Sequence, residues 1–129
     1  MEITVLQEQG RIPVTVLTLQ GNLDSSTYAQ LEQHAKEAIV AGARDLLIDM
    51  THVSYMSSAG IRVLTTLFNQ LHSASEIETA RQTVLRTNFK SPHLKLAGVS
   101  PRVLDVLKMA GFDEYLDIHK TRQDALKAF

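Results

Sequence analysis

Apolar positions along this chain fall into short blocks whose spacing switches between the strand period of about two and the helix period of about 3.6. Ile3 to Glu8 and Val14 to Leu19 are β-branched, apolar runs parted by Gly10 and Pro13, the pattern of an antiparallel hairpin or of two edge strands. Pro13 lacks an N–H and suits the start of a strand. Gly21-Asn-Leu-Asp24 breaks the second run, and Ser25 and Ser26 then offer N-caps for a helix. In that helix Leu31, Ala35, Ala38 and Ile39 share one side, with Glu32, Gln33, Lys36 and Glu37 on the other, and Gly42 is the expected C′ residue. Leu46-Leu-Ile48 is apolar without alternation, as in a strand covered on both faces. A second helix carries Ile61, Leu64, Leu67, Phe68 and Leu71 on one stripe.

Leu94-Lys-Leu-Ala97 reads as a fourth strand. Ser100-Pro101 opens a helix with serine at the N-cap and proline at its first position. Val103, Leu104, Val106, Leu107 and Ala110 form its apolar face, and Gly111 stops it. Tyr115 to Ile118 is a last short strand, and Thr121 caps a terminal helix running to Phe129. The order is ββαβα-insert-βαβα, an α/β fold with a mixed, mostly parallel sheet. One domain spans 1–129, with an insert at about 73–93 that is longer than an ordinary helix-to-strand loop. Ser75-Glu-Ile-Glu78 has capping-box spacing, and Ile77, Ala80, Val84 and Leu85 are periodic. The insert reads either as an extra helix with a mobile tail through Asn88 to Pro92, or as a disordered excursion.

Composition narrows the chemistry. The 129 residues suffice for a self-standing core. Thirteen basic and 14 acidic side chains leave a formal charge of −1, which provides no field for nucleic acid or an anionic membrane. Absence of cysteine removes disulfides, thiol catalysis and thiolate metal sites. No secretory signal and no apolar run of about 20 residues is present, so a cytoplasmic protein without membrane insertion is expected. Tryptophan is absent, which weakens any base-stacking role.

The stretch Asp45 to Leu64 holds the most focused chemical handle. It reads as a buried strand, a turn, and then Ser57 and Ser58 at a helix N-terminus, where open amides and the helix dipole favour an anion. The loop from Thr51 to Met56 lies at the carboxyl end of a parallel strand, where open α/β sheets place their sites. Ala59 and Gly60 are small, leaving room for a partner backbone or a phosphate. Simple N-capping is the competing reading of the serines. No G-x-S-x-G elbow accompanies them, so a hydrolase built on Ser58 is a remote third possibility. His34, His52, His72, His93 and His119 form no ligand pair and fall on separate elements; His52, just before the serines, is the one to watch. Asp24 and Asp49 both end strands on what should be one edge of the sheet, where they would bind a metal, flank a phosphoacceptor or cap turns, the last being favoured for Asp49. Arg62, Arg102 and Lys108 read as a solvated face. No glycine-rich phosphate loop exists, and no cofactor or metal is expected.

Four blocks together resemble a known family: Leu19-Gln-Gly-Asn-Leu-Asp24; Leu47-Ile-Asp-Met-Thr-His-Val-Ser-Tyr-Met-Ser-Ser-Ala-Gly-Ile61; Leu96-Ala-Gly-Val-Ser-Pro101; and Leu107-Lys-Met-Ala-Gly-Phe112. They resemble STAS domains, the fold of bacterial anti-sigma factor antagonists, over nearly the whole chain apart from the insert. The resemblance implies a non-enzymatic binding module. In its dephosphorylated form such a module binds an anti-sigma factor serine kinase of histidine-kinase-like ATPase fold and releases a sigma factor, and a serine phosphatase restores that form. Aligned on Gly60 and Ile61, the implied phosphoacceptor is Ser58, with Ser57 as second choice. The family's usual aspartate falls at Ser57 and its usual second serine at Ala59. The implied partner surface is Asp24, Tyr55, Met56, Ser57, Ser58, Ala59, Gly60, Ile61 and Arg62, although core packing is the favoured reading of Tyr55, Met56 and Ile61. The alternative within the same fold is an unphosphorylated subunit of a lipid-transport or scaffold complex.

Overall fold

A computed structural model describes residues 1–72 and 90–129. The extra helix expected from Ser75 onward lies outside the described residues. A three-residue connection joins β1 (Glu2–Gln9) to β2 (Pro13–Gln20), and Pro13 opens its strand as its missing N–H requires. Then come α1 (Tyr28–Val40), β3 (Leu46–His52), α2 (Ser58–Leu71), β4 (Leu94–Ala97), α3 (Pro101–Met109), a single 3₁₀ turn (Phe112–Glu114), β5 (Asp117–His119) and α4 (Arg122–Ala128). The five strands lie side by side in chain order, β1 antiparallel to β2 and all the others parallel. Of the two readings left open at the N-terminus, the hairpin is the one adopted.

Both faces of the sheet are covered, which explains the continuous apolar run in β3. Leu46, Ile48 and Met50 join the main core with Leu17, Leu19, Leu94 and Leu96, packed under Leu31 and Ala35 of α1, Val63, Leu64 and Leu67 of α2, and Val103 and Leu107 of α3. Leu47 points the other way, into a smaller cluster with Val14, Val16, Ala97 and Ala125 of α4. Helix ends follow their local chemistry. Gly42 takes φ +113, and its amide and that of Ala43 return to Ile39 and Ala38, a Schellman closure. The Ser100 hydroxyl accepts from the Val103 amide, and the Thr121 hydroxyl from that of Asp124.

Three expectations change. The first helix starts at Tyr28 behind Thr27, and Ser25 and Ser26 do not cap it. Asp24 has already organised that turn, because its Oδ1 accepts from both the amide and the hydroxyl of Ser26 (2.9 and 2.6 Å). The last strand begins at Asp117 instead of Tyr115, because the 3₁₀ turn after Gly111 consumes the residues before it. At the end of the insert, Ser91 is fully buried where a mobile tail was expected. Its amide donates to the Tyr115 carbonyl (2.7 Å), and its hydroxyl accepts from the amides of His93 and Leu94.

Candidate functional site

Two loops are stitched together at the carboxyl ends of β2 and β3. The Leu23 amide donates to the Tyr55 carbonyl (3.0 Å), and the Ser57 amide donates back to the Leu23 carbonyl (2.9 Å), a one-residue parallel bridge centred on Leu23 and Met56. Outside the bridge, the Ser54 hydroxyl donates to Asn22 Oδ1 (3.0 Å) and the Gly21 amide to the His52 carbonyl (3.2 Å). Leu23 and Met56 are buried and fasten this junction to the core.

Helix α2 leaves directly from the junction. Ser57 is extended (φ −95, ψ −178) and its Oγ accepts from the Ala59 amide (3.2 Å), so it is the N-cap. The Gly60 amide reaches the Ser57 carbonyl (3.0 Å). The sequence predicts several open amides here; the Ala59 and Gly60 amides are both taken by Ser57, and the Ser58 amide has no hydrogen bond to another described residue. Ser58 is the first helical residue, exposed, with its hydroxyl bonded to no other described residue. The two serines thus divide the roles: one hydroxyl is spent on the helix, the other faces water.

The remaining residues of the expected surface separate by depth. Tyr55 is 40% exposed, and Arg62 is exposed. Ile61 is half-buried, packed against the core. Met56, at 1% exposure, and the buried Ala59 and Gly60 lie below the surface and shape it from beneath. Gly60 is small for an internal reason. A Cβ there would run into the Met56 side chain and come within 3.1 Å of Leu23 Cδ2, so the space serves the core instead of an incoming ligand. Asp24 adjoins the bridge at Leu23. Hydrogen bonds from the Ser26 hydroxyl and amide hold its carboxyl below its usual value; burial opposes them, and Thr27 adds a still smaller lowering. It is therefore ionised at neutral pH next to the strand of backbone that bears Ser57.

Asp49 is not at a strand end and does not join this site. It sits inside β3, 6% exposed, opposite Thr18 and Ala97. Its Oδ1 accepts from the Thr51 amide and hydroxyl (3.1 and 2.6 Å), and its Oδ2 takes a fork from Arg122 Nε and Nη2 (3.2 and 3.0 Å). Arg122 Nη2 also donates to Thr18 Oγ1 (2.6 Å). Burial pushes this carboxyl up, but the Thr51 hydrogen bonds and the Arg122 guanidinium outweigh it and hold the group below its usual value. Its turn-capping role is present, with a long-range ion pair added.

Two further features carry no sequence signal. Arg62 lies over the Tyr28 ring (5.8 Å to the centroid) and Arg102 over that of Tyr55 (5.7 Å), so these arginines are exposed, as a solvated face requires, but each also rests against a tyrosine. His72 and His93, which flank the insert, come together with ring centroids 5.1 Å apart; His72 Nε2 is 2.7 Å from Ser91 Oγ, and His93 Nδ1 is 3.0 Å from Asp45. This is a histidine–serine pair, but Ser91 is inaccessible and its oxygen is occupied by backbone amides. No histidine is hydrogen-bonded to Ser57 or Ser58. Among the described residues, no group of three or more carboxylates and histidines is placed to hold a metal, and no helix is long and apolar enough to cross a membrane.

Comparison with known proteins agrees on the fold. The family model described as STAS domain matches residues 4–87. A Bordetella bronchiseptica protein, BtrV, named as an anti-sigma factor antagonist, is 26% identical over 129 residues, covering 100% of this chain and 95% of BtrV. The crystal structure of an anti-sigma factor antagonist from Mycobacterium paratuberculosis superposes with a TM-score of 0.72 at 22% identity, covering 98% of this chain and 93% of that one. The structure of the Bacillus cell fate determinant SpoIIAA in its phosphorylated form superposes with a TM-score of 0.61 at 18% identity, covering 97% and 96%.

Proposed function

Since this chain belongs to the STAS domain family, we propose that it acts as an anti-sigma factor antagonist whose recognition is switched by phosphorylation of Ser58. Unphosphorylated, the surface formed by Tyr55, Ser57, Ser58, Ile61 and Arg62, bordered by Asp24, binds an anti-sigma factor serine kinase and so frees a sigma factor; a serine phosphatase resets the cycle. The role is that of a binding module, and no step requires this chain to catalyse a reaction.

The observation that carries this reading is the division between the two serines. Ser57 is committed to capping, whereas Ser58 projects an unengaged hydroxyl from the first turn of a helix whose start is fixed by the bridge to Leu23. A protein of the same fold has been solved in a phosphorylated form, and a relative matched over 95% of its length carries the name anti-sigma factor antagonist, which supports both halves of the proposal. Physics supplies the switch. A phosphate adds about −1.5 to −2 charges. At the N-terminus of α2 the dipole tolerates that charge, so the fold survives. In a close interface the same group must be desolvated near Asp24, so binding weakens.

The test is incubation with an anti-sigma factor serine kinase and ATP, followed by mapping of the modified residue. Ser58→Ala should abolish incorporation while Ser57→Ala retains it. Incorporation that persists when both serines are replaced would refute the assignment.

A further inference from the structure

The two edges of the sheet are built differently. The edge at β5 is three residues long, and its Asp117 is engaged with Lys95 (3.2 Å) and His119 (3.5 Å). The edge at β1 is eight residues long, against a usual strand of about 5–6. Val5 and Leu6 at its centre are 41% and 39% exposed. Proteins commonly blunt such an edge with lysine, proline, a bulge or a cover. Here the strand contains no lysine or proline, and its pairing with β2 runs unbroken from Glu2 to Gln9.

The hydrogen-bond phase of the open side follows from β2. The Thr15 amide donates to the Asp45 carbonyl on the β3 side, so Thr15, Leu17 and Leu19 direct their backbone groups toward β3. Val14, Val16 and Thr18 therefore direct theirs toward β1, where they face Glu8, Leu6 and Thr4. By alternation Ile3, Val5, Gln7 and Gln9 hold their N–H and C=O groups outward. This is a row of backbone donors and acceptors ready to add another strand.

We propose that this edge is a self-association surface, with β1 of a second copy of the chain as its occupant, antiparallel across a two-fold axis normal to the sheet. Such an axis keeps the same sheet face up in both copies, so it opposes residues from the same side of the strand and makes the interface isologous. Side-chain chemistry then selects the register. An axis at Thr4 or at Gln7 sets Leu6 against a glutamate, Glu2 or Glu8. An axis at Val5 sets Glu2 directly against Glu8, a like-charge pair. An axis at Leu6 opposes Leu6 to Leu6, Thr4 to Glu8 and Val5 to Gln7, and brings Glu2 abreast of the Gly10–Arg11 turn. Of these registers only the last opposes apolar to apolar at its axis without setting a glutamate against Leu6 or against another glutamate, and it leaves Glu2 near Arg11. It also sets Val5 of the second copy beside Gln7, at the open side of a groove of about 740 Å³ between β1 and α1 that Val5, Gln7, His34 and Glu37 line.

The test uses the whole chain in sedimentation equilibrium from low micromolar to several hundred micromolar. The expected result is a reversible dimer that Val5→Pro weakens by about tenfold or more in Kd, because it removes an outward N–H without touching the bonds to β2. Leu6→Lys should do the same by placing like charges on the axis, and it gives an independent reading if the proline variant does not fold. The natural chain has no cysteine, so Leu6→Cys should form a disulfide-linked dimer under mild oxidation while Thr4→Cys should not. A wild-type chain that stays monomeric throughout, leaving the edge to a strand from another protein, overturns the proposal. So does a dimer indifferent to both Val5→Pro and Leu6→Lys, or equal cross-linking from positions 4 and 6.

Discussion

Two polar groupings sit toward the carboxyl ends of the central strands, one around Asp49 and one around Ser58, and they spend their hydrogen-bonding capacity in opposite ways. Around Asp49 both carboxylate oxygens are occupied, by Thr51 on one side and by the Arg122 fork on the other, and Arg122 in turn reaches Thr18. The grouping ties α4 to β2 and β3 and offers nothing to an outside molecule. Around Ser58 the backbone is just as firmly held, but the side chains are not consumed: the Ser58 hydroxyl and the tyrosine-backed guanidiniums of Arg62 and Arg102 face solvent. A fold can thus use similar residue types either as internal mortar or as a recognition surface. The difference lies in whether a second element closes over them.

The sharpest way to break this contrast is to remove Asp49. Asp49→Ala leaves the partly buried Arg122 guanidinium without its carboxylate partner, and should cost about 3 kcal/mol in urea unfolding while leaving partner affinity at fixed fold unchanged. The same cluster sets an acid limit. The folded carboxyl lies below its unfolded value, so its stabilisation is complete above that value and is lost as pH falls through the folded pKa. Urea midpoints measured on descending from pH 5 should therefore fall more steeply in the wild type than in Asp49→Asn.

Next in size is Ser58→Glu. It should weaken binding to the proposed anti-sigma kinase partner by about a hundredfold, roughly 2.7 kcal/mol, in titration calorimetry. The urea midpoint should shift by no more than the equivalent of about 0.5 kcal/mol, as for an exposed site. A large loss of stability would mean that Ser58 belongs with the mortar. Ser57→Ala should show the reverse profile, costing about 1 kcal/mol of stability as a lost cap while leaving Ser58 modifiable. The smallest effect is expected for Arg62→Ala, about 0.5 kcal/mol of stability from the lost contact with Tyr28. A larger fall in kinase affinity than in stability would place Arg62 in the recognition surface.

The sequence makes local features legible and long-range closure illegible. Gly42, Ser100-Pro101, Gly111 and Thr121 each end or begin a helix as their own chemistry requires, because a cap is decided within a few residues. Leu46-Leu-Ile48 is readable as a doubly covered strand for the same reason. Asp49 is not readable: a carboxylate after an apolar run looks like a strand end, and only an arginine 73 residues away makes it tolerable inside the sheet. Core packing is the favoured reading of Met56, but its specific partner is not legible: its side chain fills the gap that Gly60 leaves. The meeting of His72 with His93 depends on the two ends of the insert converging. The exposure of Ser58 and the occupation of Ser57 were separable only once the Ser57 hydroxyl was seen to accept from the Ala59 amide.

The bridge between Leu23 and Met56 has a kinetic consequence. Because the loop before α1 and the loop before α2 are sewn to each other and to the core, the proposed recognition face exists in one arrangement before any partner arrives. Docking then needs no loop ordering, and the encounter is governed by diffusion and by the two arginines' field. Complex formation should accordingly proceed in a single phase linear in concentration, slowed by added salt and without a lag from rearrangement.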